Sequence, residues 1–284
     1  MNDRITKTMV ETFIRSMENE EFAPGSIDKY SRDVCRFAAW LQQRPLCKEE
    51  AVSWKQSLLE KGYANTTING MIVAVNRFFR QIGREDCLLK ELRVQRRVFR
   101  NRERELTRQE YQRLVDTAQQ LGKERLALLL ETICATGIRV SEVRYITVEA
   151  VQRGRSDIRL KGKIRTILIP EKLCRKLTKY AKKQKIASGE IFLTKSGRGI
   201  CRRQIWAEMK ALCQKAGVEP TKVFPHNLRH LFARTFYKAC RDIVRLADVL
   251  GHSSIETTRI YLISTAAELA KQLDRLRLID PIAG

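Results

Sequence analysis

The chain has no run of about 18 apolar residues, so no segment is expected to span a membrane. Its N-terminus, MNDRITKTMVETF, lacks the apolar core of a signal peptide, and the expected location is the cytoplasm. No GxxxxGK followed by Ser or Thr is present, so there is no P-loop for a nucleotide. No acidic cluster of the kind that grips two metal ions is present, so no metal or other cofactor is expected. The eight cysteines (Cys35, Cys47, Cys87, Cys134, Cys174, Cys201, Cys213 and Cys240) include no close pair and no CxxC or Cys/His ligand spacing. They read as small core residues in a reducing compartment, not as a zinc site. Internal repeats and low-complexity segments are absent. Histidine is scarce: His226, His230 and His252 are the only three, all within 27 residues.

Positive charge, by contrast, is abundant. Lys and Arg total 55 against 32 Asp and Glu, a net charge of +23. A protein this basic meets a polyanion; nucleic acid is the first candidate and an anionic membrane surface the second. The excess is uneven: residues 1–100 hold 18 basic and 13 acidic residues, residues 101–284 hold 37 and 19. The 284-residue length suits two domains, and the 43% hydrophobic fraction is ordinary for a globular chain.

Apolar periodicity predicts four helices in residues 4–83. Ile5, Met9, Phe13 and Ile14 line the first. The second is expected to be capped by Ser26 and carries Tyr30, Val34, Phe37 and Ala38. A third runs from about 48 to 61, and Asn65 opens a fourth with Ile68, Met71, Val75, Phe78 and Phe79 inward. Residues 84–105 read as an interdomain linker. Its 93–104 stretch, RVQRRVFRNRER, holds Arg93, Arg96, Arg97, Arg100, Arg102 and Arg104. Such a run is either a solvated linker or a strap along a DNA backbone, and the basic context favours the strap. A second domain, 106–284, opens with the capping box of Thr107 and Glu110. Helices are predicted at about 107–119, 124–135, 171–185, 202–215, 225–239, 242–250, 254–262 and 265–277. A β-hairpin is predicted from 155–160 and 164–169, with Lys161, Gly162 and Lys163 at its tip. The fold class is mainly α, with one small β element.

Three segments carry chemistry. In HNLRH, after Pro225, His226 and Arg229 fall on one face of the first helical turn, where backbone N–H groups already attract anions. In ATGIRVSE, Gly137 breaks a helix, Ser141 can help start another, and Arg139 is held at the turn. A guanidinium there can grip phosphate oxygens with two parallel bonds. In LGHSSIETTRIY, Gly251 ends a helix, Ser253 and Glu256 can box the next, and Tyr261 lies nine residues after His252. Taken singly, each has a bland reading: a capped helix, a surface arginine, a core tyrosine.

Together, in the chain order ATGIRVSE, a basic hairpin, HNLRH and LGHSSIETTRIY, they resemble the tyrosine recombinase (phage integrase) family, including Xer-type recombinases and conjugative-element integrases. The strong resemblance covers about residues 105–265; the N-terminal helices look like the family's core-binding domain. The resemblance implies a catalytic set of Arg139, Lys161, His226, Arg229, His252 and Tyr261. The two arginines hold the non-bridging oxygens of the scissile phosphate. The two histidines add hydrogen bonds and proton transfer. Tyr261 is the nucleophile, and the hairpin lysine is the acid that protonates the leaving 5′ oxygen. The hairpin here, LKGK, is one residue shorter than a common family form, so Lys161 is aligned with that lysine and Lys163 stays its competitor. Lys163 and Arg165 are expected on the DNA.

Physical chemistry agrees with those roles. Attack concentrates charge on the non-bridging oxygens, and fixed guanidiniums strengthen their grip as it develops. A phenol ionises near pH 10, and cationic surroundings favour the phenolate. A phosphotyrosine stores the bond energy, so rejoining needs no ATP.

The resemblance also implies specific double-stranded DNA sites, a tetramer exchanging strands through a Holliday junction, a nucleoid location and accessory DNA-bending or directionality factors. Integration or excision of a mobile element is the first reading of its role, and chromosome-dimer resolution of the Xer type the alternative. With the first helix opening almost at residue 1, no further arm-binding domain is expected. The rivals are a catalytically inactive DNA-binding relative, a type IB topoisomerase and a metal-dependent nuclease. Residues 265–277 carry an apolar stripe, Ala267, Leu269 and Leu273, that packs either within its own domain or on a neighbouring protomer.

Overall fold

A computed structural model describes residues 4–42, 44–94, 104–160, 163–252 and 254–261, with 270, 273, 274 and 276 beyond them; at 159, 160, 163 and 164 it describes the backbone alone. The chain divides into two compact units, Met1–Arg96 and Arg97–Gly284. No helix among the described residues is long and apolar enough to cross a membrane.

The first unit packs α1 (Lys7–Asn19), α2 (Pro24–Leu41), α3 (Lys48–Glu60) and α4 (Asn65–Gln81) around an aromatic core. Phe13 meets Phe78 edge-on at 5.5 Å, and Phe37 meets Trp54 at 5.0 Å and Phe79 at 5.4 Å. Such pairs add directionality to the burial that holds the helices together. Ser26 does not cap α2. Pro24 takes the first helical position and Ala23 precedes it, which puts Ser26 inside the first turn.

The boundary also lies later than residue 83. A short 3-10 turn, Glu85–Cys87, follows α4, and Cys87 and Leu89 are buried in the first unit's core. Two side-chain amides of α4 stitch the segment down. Asn76 exchanges two 2.8 Å hydrogen bonds with the backbone of Leu89, and Asn69 does the same with Leu92. Residues 84–92 are therefore part of the helical unit. Of the linker arginines, Arg93 and Arg104 are exposed, and Arg96, Arg97, Arg100 and Arg102 lie outside the described residues.

In the second unit the described elements run α5 (Arg108–Gln120), α6 (Glu124–Thr136), a 3-10 turn (Val140–Tyr145), α7 (Val148–Gln152), β1 (Arg155–Leu160), β2 (Lys163–Leu168), α8 (Glu171–Lys183), α9 (Arg202–Ala216), α10 (Pro225–Cys240), α11 (Ile243–Leu250) and α12 (Ile255–Arg259). The capping box of Thr107 and Glu110 is formed in full. β1 and β2 pair antiparallel from Arg155↔Leu168 to Leu160↔Lys163. Lys163 thus belongs to β2 and not to the tip, while Lys161 and Gly162 lie outside the described residues. The core centres on α6, whose Leu129, Leu130 and Ile133 are fully buried. A smaller cluster of Ala233, Leu246, Leu250 and Tyr261 joins α10 to α11 and α12.

Two further expectations change. α12 ends at Arg259, so Tyr261 lies just beyond it; the Ser254 hydroxyl receives the Glu256 N–H, and Ser253 lies outside the described residues. Helix 265–277 falls largely outside them too. Among the cysteines, Cys87 and Cys213 are buried, whereas Cys35, Cys201 and Cys240 are exposed.

Candidate active site

Two glycines set the site's frame. α6 stops at Gly137, whose φ of +63° is a left-handed conformation that a side chain disfavours. A Cβ there would also lie 2.4 Å from the Phe232 ring. The chain then turns sharply, and Arg139 stands at the start of the 3-10 turn. Glu142 holds it: one carboxylate oxygen accepts the Arg139 backbone N–H at 2.7 Å, the other its Nη1 at 2.8 Å. α11 stops in the same way at Gly251, φ +63°, and delivers His252.

α10 begins at Pro225, where a missing N–H costs nothing. Its first turns present His226, Arg229 and His230. Arg229 is only 2% exposed, an unusual place for a guanidinium unless its donors are satisfied. They are. Nη1 donates to the Gly137 carbonyl at 2.5 Å, and Nη2 donates to the Leu250 carbonyl at 2.8 Å and meets His252 Nε2 at 2.8 Å.

The end of α11 proves to be the organiser. Val249, Leu250 and Gly251 offer three consecutive carbonyls, and each accepts from a different arginine. Arg165 reaches the first at 2.8 Å, Arg229 the second at 2.8 Å and Arg139 the third at 3.3 Å. The carbonyl end of a helix carries partial negative charge, which suits cations. Arg165, expected on the DNA, is instead almost buried, with Nη1 2.6 Å from Glu142 Oε2. Its side chain turns to this carboxylate, while its strand neighbours Thr166 and Leu168 are exposed.

The tautomer of His252 follows from its neighbours. A guanidinium only donates, so Nε2 accepts from Arg229 and carries no proton. Nδ1 then bears the hydrogen and donates to the Thr258 hydroxyl, 2.9 Å away. Thr258 is fully buried on α12, and its own carbonyl accepts the Tyr261 N–H at 3.0 Å. Burial first, then the charges of Arg229, Arg139 and Arg165, lower the His252 pKa to about 4. His230 is pushed down to about 3, by burial and then by His226, Arg234 and Arg229. His226 stands exposed at the mouth; the protein packed against its inner side, then Arg229 and Arg139, lower its pKa as well. Glu142 would be raised by burial, but the Arg139 N–H and the Arg165 and Arg139 charges outweigh this and hold it below the ordinary range.

Tyr261 is 3% exposed and sits among all three histidines. Its ring centre is 4.4 Å from His230, edge-on, 5.7 Å from His252, stacked, and 6.1 Å from His226. Its phenol lies near the Arg229 guanidinium and interacts with it electrostatically. A cleft of about 570 Å³ is lined by Arg139, His226, Arg229, His252 and Tyr261 together with Arg202 and Trp206 of α9. A second cavity, about 420 Å³ between α5, α6 and α8, holds none of the five.

The fold therefore brings together five of the six residues in the catalytic set; Lys161 lies outside the described residues, and of Lys163 the backbone alone is described. Sequence reading missed Glu142, Thr258, His230 and the α9 pair. Glu142 and Thr258 lay inside the motifs, but their partners are set by tertiary packing. Arg202 and Trp206 carry no motif. Among the described residues, no group of three or more His, Cys, Asp or Glu is arranged to hold a metal ion.

Residues 104–268 match the phage integrase family, and residues 10–86 match the phage integrase N-terminal SAM-like domain. The chain belongs to the phage integrase family. It is a tyrosine recombinase, one of the enzymes that cut and rejoin DNA strands. It is 30% identical to the tyrosine recombinase XerA of Thermococcus kodakarensis over 97% of this chain and 98% of that protein. It is 28% identical to the tyrosine recombinase XerC of Roseiflexus castenholzii over 89% and 87%. A crystal structure of XerA recombinase shares the fold at a TM-score of 0.53, with 23% identity over 97% of this chain and 100% of that one. A lambda integrase tetramer bound to a Holliday junction shares it at 0.73, with 16% identity over 89% and 76%.

Proposed function

We propose that this recombinase cleaves specific DNA sites with Tyr261, forming a 3′-phosphotyrosine and releasing a 5′ hydroxyl. The observation that carries the reading is the Tyr261 phenol beside Arg229, in one cleft with Arg139, His226 and His252. Arg139 and Arg229 grip the non-bridging oxygens of the scissile phosphate, where attack builds negative charge. Their carbonyl and carboxylate partners fix them in advance, so little reorganisation is needed at the moment of reaction. His226, exposed at the mouth, adds a hydrogen bond to the phosphate. His252 is held neutral, with its lone pair on Arg229. Lys161 protonates the leaving 5′ oxygen. The tyrosine–phosphorus bond replaces the broken one, and a 5′ hydroxyl from the partner strand reverses the step, so no nucleotide is consumed.

In the same reading the helical N-terminal unit and the 93–104 arginines add DNA contacts to those of the catalytic unit. Four protomers assemble on two sites and pass through a Holliday junction, with accessory DNA-bending factors, in the cytoplasm at the nucleoid. The biological role is integration or excision of a mobile element. A second role, Xer-type resolution of chromosome dimers, is favoured by the likeness to XerA and XerC along almost the whole chain.

The test uses a half-site recovered from DNA that the protein binds in cells. The wild-type chain should form a denaturation-resistant DNA adduct, and Tyr261→Phe should lose it while keeping affinity, which comes from many Lys and Arg contacts. An adduct that persists in Tyr261→Phe moves the nucleophile elsewhere, to Tyr237 or Tyr145.

A further inference from the structure

Guanidiniums held at close range repel one another, and until a phosphate arrives something else must keep them aimed. Arg165 is placed to do this from outside the cleft. It lies on β2, opposite Ile158, in the hairpin whose tip precedes it by only a few residues. Its Nη1 meets Glu142 at 2.6 Å, and the other oxygen of Glu142 holds Arg139 Nη1 at 2.8 Å. Its Nη2 donates to the Val249 carbonyl at 2.8 Å. Its aliphatic stem fills the space that a side chain at 251 would need: a Cβ there would lie 2.3 Å from Arg165 Cδ. One side chain thus touches the hairpin, the turn that bears Arg139 and the turn that delivers His252. Its Nε is buried with no hydrogen-bond partner. A buried ion pair with an unsatisfied donor is a poor source of stability compared with an apolar pair of the same volume. What this one secures is geometry.

We propose that Arg165 is a positioning residue for DNA cleavage: through Glu142, the Val249 carbonyl and its packing against Gly251 it fixes Arg139 and His252 relative to the hairpin strand that bears it. This rests on the reading that those groups act on the scissile phosphate. Docking of the hairpin and aiming of Arg139 are then one event. With Arg165 gone, Glu142 has Arg139 as its remaining charged partner and draws it away from the cleft.

The wild type, Arg165→Met, Arg165→Lys, Glu142→Gln and the Arg165→Met/Glu142→Gln double variant are compared on the half-site. DNA affinity is read by fluorescence anisotropy, adduct formation by single-turnover rate at saturating DNA, and folding by thermal melting. Arg165→Met should cleave ~10²-fold more slowly, the scale on which misplaced catalytic groups cost rate. Its affinity should be unchanged. The double variant should be no slower than the worse single one, because both changes cut the same link. Wild-type cleavage by Arg165→Met, a loss expressed in affinity instead of rate, or losses that multiply in the double variant would each overturn the proposal. Should Arg165→Met fail to fold, Arg165→Lys decides. It keeps the charge but cannot span both partners, so slow cleavage with intact affinity supports the proposal and wild-type cleavage overturns it. A wild-type chain that forms no adduct refutes the underlying reading and the proposal with it, whereas a cleaving wild type with an equally active Arg165→Met refutes the proposal alone.

Discussion

Replacing Thr258 by valine is the sharpest probe of the hydrogen-bond chain behind Tyr261. Valine has nearly the shape of threonine, so the fully buried site stays filled and the change is confined to the hydroxyl. That hydroxyl is the acceptor for His252 Nδ1–H at 2.9 Å. Removing it strands a donor inside the protein, at ~1–3 kcal/mol. For a unit of this size each kcal/mol lowers the melting temperature by roughly 2–4 °C. The alternative tautomer offers no relief, because it would place an N–H against the Arg229 guanidinium that now donates to Nε2 at 2.8 Å. Thr258→Val should therefore melt several degrees lower, and Thr258→Ser should recover most of the loss. Long-range proton–nitrogen NMR of ¹⁵N-histidine protein should show His252 protonated on Nδ1 in the wild type and broadened or mixed in Thr258→Val. A valine variant with wild-type melting, or a wild-type His252 protonated on Nε2, would refute the reasoning.

Acidification offers another check. The pKa values of His230 and His252 fall from 6.5 to about 3 and about 4 on folding. Between those limits the unfolded chain binds more protons, so their contribution is complete above pH 6.5 and drains away as pH falls towards 4. The melting temperature should drop between pH 7.5 and 5, less steeply in His230→Phe; equal slopes would remove His230 from the account. At the hairpin, Lys161→Ala should cleave an ordinary phosphodiester far more slowly, by ~10²–10⁴-fold, yet be rescued by a 5′-bridging phosphorothiolate, whose leaving group needs no acid; rescue of Lys163→Ala in its place would reassign the acid. On the cleft wall, Arg202→Ala and Trp206→Ala should weaken half-site binding in an anisotropy titration, Arg202→Ala also flattening its salt dependence; unchanged binding by both would leave α9 without a part in DNA capture.

The helices were legible because their apolar faces repeat locally, and the Thr107–Glu110 box because its members are three residues apart. The candidate site residues came from the joint resemblance of three motifs and a hairpin to one family, since each motif alone has a bland reading. What sequence hid was the long-range pairing. Nothing near Leu89 or Leu92 announces that Asn76 and Asn69 will hold them, so residues 84–92 read as linker. Arg165 sits in a basic hairpin and reads as a DNA contact, and its partner is 23 residues away in Glu142. The Tyr261 segment keeps a helical pattern on paper, but α12 ends at Arg259, and the contacts Tyr261 makes with three histidines come from two other segments.

The three carbonyls at the end of α11 have a further consequence. They are an internal placeholder for the phosphate: a fixed, uncharged patch of negative potential that the enzyme carries whether or not DNA is bound. Mobile anions from the buffer are not needed to keep Arg139, Arg165 and Arg229 together. Salt should then act on two properties differently. It should strip the long-range pull of the +23 chain on DNA, while the spacing of the three guanidiniums, set by consecutive peptide groups, should persist. The same construction makes the register of α11 unforgiving. One residue inserted or deleted between Ile243 and Gly251 would rotate the turn by about 100° and hand each arginine the wrong carbonyl. Insertions elsewhere on the surface would leave that alignment untouched.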